Sequence, residues 1–251
     1  MQNFSDEEVE RYARHLVLRE IGGPGQQALK AARVLIVGAG GLGSPAALYL
    51  AAAGVGTLGV IDPDTASLSN LQRQIMFTSA DMGRPKIEAA ADRLAALNPH
   101  VIVETHPVAI TEENAAGIVR GYDLILDGTD DFATRFAVND ACVCEGKTLV
   151  SGALGRWTGQ VGVFSGRPCY RCLVPEIPPD AETCAMVGVV GALAGVIGSM
   201  MALEAVKLVT GAGETLAGRL MIYDGLAAQA RTVKLTADPA CRVCGPAQPS
   251  R

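Results

Sequence analysis

The sequence predicts an α/β fold: a mostly parallel sheet, continued by an antiparallel C-terminal part that carries paired cysteines. Three observations predict it. The β-favouring run Val34-Leu35-Ile36-Val37 passes straight into a glycine cluster and then into a helix. Short apolar strands alternate with helices as far as residue 150, the pattern of a right-handed wound parallel sheet. Beyond that point apolar residues recur at every second position, and two Cys-x-x-Cys pairs appear.

Taken in order, Ser5 opens a helix with Glu8 as a capping box. Val9, Tyr12, Ala13, Leu16 and Val17 give that helix one apolar face. Gly22-Gly23-Pro24-Gly25 breaks the chain before a short helix over about 26–32. The strand to Val37 and the helix opening at Ser44-Pro45 follow, then the strand Leu58-Gly59-Val60-Ile61. Residues 64–74 are polar, with too little apolar periodicity for a core element. Gly83-Arg84-Pro85-Lys86 introduces a helix to about residue 97, and Val101-Ile102-Val103-Glu104 is a strand. Thr111 caps a helix over about 112–120; Leu124-Ile125-Leu126-Asp127 is a buried strand with a helix from about 133. Cys142 and Cys144 read as packing residues beside the next strand, Thr148-Leu149-Val150.

In the second half, Gly159-Gln160-Val161-Gly162-Val163-Phe164 suits an antiparallel strand. A proline-rich loop spans 175–183, and the strands 219–224 and 232–235 close the chain. Residues 185–203 carry no charge and nearly suffice to cross a bilayer. They lack an aromatic belt and basic flanks, so they read as a helix packed on all sides inside a soluble domain. No linker divides the chain, and residues 1–251 read as one unit with halves 1–150 and 151–251.

The chain has 251 residues, a net charge of −5 and 49% hydrophobic residues, enough for a sizeable core. No basic tract is present, which argues against nucleic acid as the main partner. The acidic N-terminus has no signal-peptide core, so a cytoplasmic location is expected. In that setting the seven cysteines favour reduced thiols and metal over disulfides.

Gly38, Gly40 and Gly43 hold the Gly-x-Gly-x-x-Gly spacing, with Gly41 in addition. Bare amides in such a strand-to-helix turn accept a phosphate, and Asp62 falls where a ribose-binding carboxylate belongs. A Rossmann-like nucleotide-binding sheet is the consequence. Asp130, at the carboxyl end of a parallel strand, suits Mg2+ held against a triphosphate; Asp130 or Asp131 also suits a helix N-cap. Arg73 and Lys86 are either phosphate-directed cations or solvated surface charges. Cys169, Cys172, Cys241 and Cys244 offer a tetrahedral zinc site, with redox pairs as the alternative. Cys184, just before the apolar helix, is either a nucleophile activated by the helix terminus or an inert buried thiol.

These motifs coincide with Ser69-Asn70-Leu71-Gln72-Arg73-Gln74 and Asp127-Gly128-Thr129-Asp130 in one chain. Together they closely resemble the MoeB/ThiF/HesA family, bacterial relatives of ubiquitin-activating E1 enzymes, from about residue 11 to 245. The resemblance implies ATP-dependent adenylation of the C-terminal glycine carboxylate of a ubiquitin-like sulfur carrier ending in Gly-Gly, MoaD- or ThiS-like. Pyrophosphate would be released, in molybdopterin or thiazole synthesis. It further implies that Gly41 and the run from Ser69 face the nucleotide and Asp62 the ribose. Asn70, Arg73 and Lys86 would contact phosphates, and Asp130 would handle Mg2+. Arg14 matches an arginine that reaches the partner subunit's ATP, which implies a homodimer. Zinc would sit on the four knuckle cysteines. Cys184 matches a cysteine that links covalently to the carrier in some branches, whereas others work without it. Many relatives read Thr-Asp-Asn where this chain has Thr129-Asp130-Asp131. With no rhodanese-like domain after the second knuckle, sulfur is expected from a separate protein.

An NAD-dependent oxidoreductase and a non-catalytic module that docks ubiquitin-like tails are the competing readings. The second half offers no hydride-handling residue for the first, and Asp130, Arg73 and Lys86 argue against the second.

Overall fold

Arg33–Val37 forms β1, the strand that both layers of helices enclose. Val34 and Ile36 enter one apolar core and Leu35 and Val37 the other. Such a strand reads as an unbroken apolar run because both of its faces are covered. The computed structural model describes residues 4–178 and 188–246. Parallel to β1 run β2 (Thr57–Ile61), β3 (Ile102–His106), β4 (Leu124–Asp127) and β5 (Thr148–Leu154). Antiparallel strands β6 (Thr158–Phe164), β7 (Arg219–Asp224) and β8 (Gln229–Lys234) extend the same sheet. The order is β3-β2-β1-β4-β5-β6-β7-β8. The chain winds outward from β1 to β3 and returns to β4 on the other side. That reversal opens a crevice at the carboxyl ends of β1 and β4, where open α/β sheets bind ligands.

The helices are α1 (Asp6–Arg11), α2 (Ala13–Leu16), α3 (Gly22–Ala31), α4 (Gly43–Ala52), α5 (Lys86–Leu97), α6 (Ala115–Val119), α7 (Phe132–Cys144), α8 (Tyr170–Leu173) and α9 (Gly191–Thr210). Helices α3, α4, α5 and α9 share one core with the sheet; α6, α7 and the start of α8 share the other. Helix α9 lies against α4 with Gly198 at the crossing, where a Cβ would run into the Leu42 carbonyl and the Pro45 ring.

Several expectations change. The capping box forms: the Ser5 hydroxyl accepts from the Glu8 amide, and the Glu8 carboxylate from the Ser5 amide at 2.9 Å. The helix it starts breaks at Tyr12, which is buried under a hydrogen bond from Asn98 to its hydroxyl. Val9 and Val17, expected on the same buried face, are exposed. Gly22-Gly23-Pro24-Gly25 begins α3 instead of breaking the chain, because a proline in a first turn forfeits no helical hydrogen bond. Helix α6 is shorter than expected: the Asn114 side chain accepts from the Thr111 amide and donates to the Ala109 carbonyl, making a turn of the preceding residues. Cys142 is buried, but Cys144 is exposed.

Helix α9 is long and apolar enough to cross a membrane by length and composition. Leu193, Ala194, Ile197, Met201 and Ala205 are buried in the sheet core. It is not packed on all sides, however: Val196 and Leu203 face outward, Leu203 at 59% exposure. The expected start of this helix at 185–187 lies outside the described residues, as does Cys184.

Candidate active site

The glycine loop between β1 and α4 is shaped by backbone contacts that leave no room for side chains. Gly38 takes a φ of +87°, and a Cβ on Gly43 would strike the Gly38 carbonyl. Asp62, at the end of β2, ties the loop down. One of its oxygens accepts from the Ala39 amide at 2.9 Å, the other from the Asp64 amide at 2.9 Å. The cost of burying this carboxylate is offset by those amides and by Lys86, whose ammonium lies 3.4 Å away.

A cavity of about 520 Å3 opens over this loop at the switch point of the sheet. Gly38, Gly40, Gly41, Asp62, Asn70, Arg73, Lys86 and Asp130 all line it, although they span five separate stretches of sequence. Lys86 enters from the first residue of α5 and is 4% exposed. Arg73 is held by a hydrogen bond from its guanidinium to the Ser69 carbonyl at 3.2 Å, and its side-chain carbons lie alongside Gly41. Asp130 is exposed toward the cavity. The next residue, Asp131, is the N-cap of α7 and accepts from the Thr134 amide at 2.8 Å. Of the two acids the sequence offered as a helix cap, only one is used. The cap falls to Asp131.

Among the described residues, three expected at the nucleotide or its partner do not line this cavity. Gly43 is buried at the start of α4. The Ser69 hydroxyl faces Ser67 at 3.3 Å. Arg14 stands exposed on α2.

Asp64 and Arg135 also line the cavity, and neither was among the expected site residues. Asp64 meets the Lys86 ammonium at 2.8 Å. Arg135, one turn into α7, donates to the Gly152 carbonyl at 2.8 Å and also to the Thr129 carbonyl. Burial works against its charge, but Asp127 and the Tyr170 hydroxyl raise its pKa above the ordinary value, so it stays a cation. Asp127, buried, accepts from the Thr129 hydroxyl at 2.6 Å and from Ser151 at 3.1 Å. The one sequence signal for Arg135 was its place on the helix after Asp130.

The four knuckle cysteines meet although 72 residues part Cys169 from Cys241. Their sulfurs all lie within 4.8 Å of one another, with Cys169 to Cys241 at 3.6 Å and Cys172 to Cys244 at 3.4 Å. A zinc tetrathiolate with bonds of about 2.3 Å has sulfur-to-sulfur edges of about 3.8 Å, so the set fits such an ion. Burial opposes ionisation of Cys241, yet the Cys244 and Val243 amides bring its thiol down to about 7.

Fold and site together define an α/β protein with a cavity of loop amides and cations at the switch point of its sheet and a separate cluster of four cysteines that fits a metal ion. The chain belongs to the ThiF family, which it matches over residues 12–243. It is 49% identical to the sulfur carrier protein adenylyltransferase of Thermus thermophilus, over 96% of this chain and 93% of that one. To the molybdopterin-synthase adenylyltransferase of Escherichia coli it is 45% identical, over 98% and 100%. The crystal structure of E. coli MccB superposes with a TM-score of 0.83 over 99% of this chain and 75% of that one; at 22% identity it speaks for the fold.

Proposed function

We propose that this chain adenylates the C-terminal glycine carboxylate of a ubiquitin-like sulfur carrier with ATP and releases pyrophosphate, in molybdopterin or thiazole synthesis. The carrying observation is the meeting of Lys86, Arg73 and Asp130 with the glycine loop in one cavity. The names of the T. thermophilus and E. coli relatives support the same reading.

The chemistry joins two anions. A carboxylate oxygen attacks the α-phosphorus, the bond to the bridging oxygen breaks, and pyrophosphate leaves with that electron pair. The products are a mixed anhydride and pyrophosphate. Loop amides at Gly40 and Gly41 receive phosphate oxygens, and Asp62 serves the ribose while it braces the loop. Lys86, Arg73 and the Asn70 amide group offset the charge that builds on the departing oxygens. Val108, Ile110 and Phe132 give the cavity an apolar wall suited to a base. Asp130, which lines the cavity, would hold Mg2+, and the ion would screen the charge of the triphosphate. Zn2+ would be held by Cys169, Cys172, Cys241 and Cys244 in a structural role, since four protein ligands would leave no position for substrate.

The molecule works as a homodimer. Two observations support this: the uncovered stripe of Val196 and Leu203 on α9, and Arg14 standing exposed away from its own cavity, free to complete a partner's. Residues 1–251 act as one unit, because a single sheet runs through both halves. A cytoplasmic location accords with the burial of one side of α9 in the sheet core.

ATP–pyrophosphate exchange tests the proposal, with candidate carriers ending in Gly-Gly added one at a time. Exchange that needs one carrier's intact tail is expected and names the pathway. Carrier binding without exchange would instead support a docking module, and NAD reduction an oxidoreductase.

A further inference from the structure

The segment that joins β3 to α6 is pinned at both ends and bare in the middle. At its start, His106 closes β3 with a ring nitrogen 2.7 Å from the Tyr122 hydroxyl. That hydroxyl gives its one proton to Glu104 at 2.8 Å, so Nε2 of His106 carries a hydrogen and donates. At its end, Ile110 is buried in the core that α6 and α7 share with the sheet. Between these pins residues 107–109 are exposed, and Val108 and Ala109 line the nucleotide cavity together with Ile110. Val108 is 43% exposed, so it offers an apolar surface at the cavity. Among the described residues, the side chain that reaches back onto this stretch is Asn114. Its amide nitrogen donates to the Ala109 carbonyl at 2.9 Å, and its oxygen accepts from the Thr111 amide at 2.9 Å. One planar group thus ties a cavity-lining residue to the turn before α6. Its donor half acts on the cavity wall, and its acceptor half holds the turn.

We propose that Asn114 is a positioning residue for the nucleotide base: its donor half sets the Ala109 carbonyl, and with it the wall of Val108 and Ala109 against which the base lies. This rests on the reading of that wall as the seat of the base. A flat ring gains from an apolar wall only while the two stay in contact, because a gap of about 0.5–1 Å forfeits a quarter to a half of the dispersion attraction. Val108 and Ala109 lie in no helix or strand, so the shape of the wall comes from its pins. The phosphate end of the cavity is built separately, by the glycine loop, Arg73 and Lys86. Loss of the clip therefore acts on the base and not on the phosphates. A residue needed only for its turn could be replaced by any side chain that keeps an acceptor for the Thr111 amide.

The test is Asn114→Asp in the full, metal-loaded chain. Calorimetric titration uses two probes: a non-hydrolysable ATP analogue, and inorganic tripolyphosphate, the phosphate chain without base or ribose. Aspartate keeps the acceptor for the Thr111 amide and puts an oxygen where the donor to Ala109 stood. The expected result is a Kd for the analogue raised about fivefold to tenfold, the worth of about one hydrogen bond. The Kd for tripolyphosphate and the melting temperature stay as in the wild type. In ATP–pyrophosphate exchange the KM for ATP rises, while kcat and the KM for carrier hold. Asn114→Ala, which removes both halves of the clip, gives the same loss of analogue affinity and a lower melting temperature as well. An unchanged affinity for the analogue in both variants would overturn the proposal. So would recovery by aspartate of what alanine loses, which would leave Asn114 the turn alone. An equal loss with tripolyphosphate would overturn it too, by placing the effect on the phosphates. Val108→Asn separates the layers. If it leaves the analogue's affinity intact, the base does not lie on this wall and both readings fail. If it weakens the analogue while the Asn114 variants change nothing, this proposal alone falls.

Discussion

The ammonium nitrogen of Lys86 lies 2.8 Å from the carboxylate of Asp64, and Asp62 stands behind it at 3.4 Å. Asp62 is buried with its oxygens on loop amides, whereas the Asp64 side chain is largely exposed. A phosphate bound at Lys86 is therefore expected to compete with Asp64 and to leave Asp62 in place. Lys86→Met is expected to lower kcat/KM for exchange by about 100-fold or more, the usual cost of removing a charge-stabilising donor. Asp64→Asn is expected to lower the KM for ATP. Steady-state exchange kinetics check both, and a Lys86→Met variant of normal efficiency would remove the lysine from the machinery.

Asp130 and Asp131 are expected to separate cleanly on mutation. Asp130→Ala should abolish exchange with the melting temperature unchanged. Asp131→Ala deletes the cap on the Thr134 amide and should cost about 1 kcal/mol, or about 2–4 °C in Tm, with activity retained below the transition. Asp131→Asn keeps a capping oxygen and should sit near wild type. Calorimetry and exchange assays on the same samples read both quantities.

Stripping the four-thiolate site with a chelator should lower Tm by about 10 °C or more, since metal binding energy is folding energy at such a site. Restored zinc should restore the transition. A metal-free protein that melts with the loaded one would show that the metal has no structural role.

Stability should also respond to acid through Glu104. Its hydrogen bonds from Arg33, at 2.7 and 2.9 Å, hold its carboxyl below the ordinary value of 4.5. The folded state then binds fewer protons than the unfolded one. The stabilisation is complete above about pH 4.5 and drains away as pH falls through the lower, folded-state value. Glu104→Gln should therefore melt earlier than wild type at pH 7 and lose less on acidification. Thermal melts across pH 3 to 7 give the comparison; equal slopes would discount the pair.

The parts legible in the sequence were those whose signal is local. The run into the glycine loop, the Asp62 that follows and the paired knuckles each announce themselves within a few residues, and the structure brings them to one edge of the sheet or into one cluster. Arg135 and Tyr170 were not legible, because each is held through a residue distant in sequence, Gly152 for the first and Asn139 for the second. The apolar composition of α9 concealed which side is covered, since a uniformly apolar helix has no polar face to mark its exposure. Tyr12 likewise ended the N-terminal helix through Asn98, 86 residues away. Local periodicity carries no trace of such a contact.

The central place of β1 has a cost in time. Its first neighbour, β2, follows within the same stretch of chain, but Val34 pairs on its other side with Leu124. At about 5–20 residues per second, a ribosome makes that intervening length in roughly 5–18 seconds. For that interval the strand bearing the glycine loop has one edge unpaired and carries the apolar run Val34-Leu35-Ile36-Val37. The nascent chain is thus most open to misassociation at the element on which the cavity is later built, and a chaperone would find its longest opportunity there.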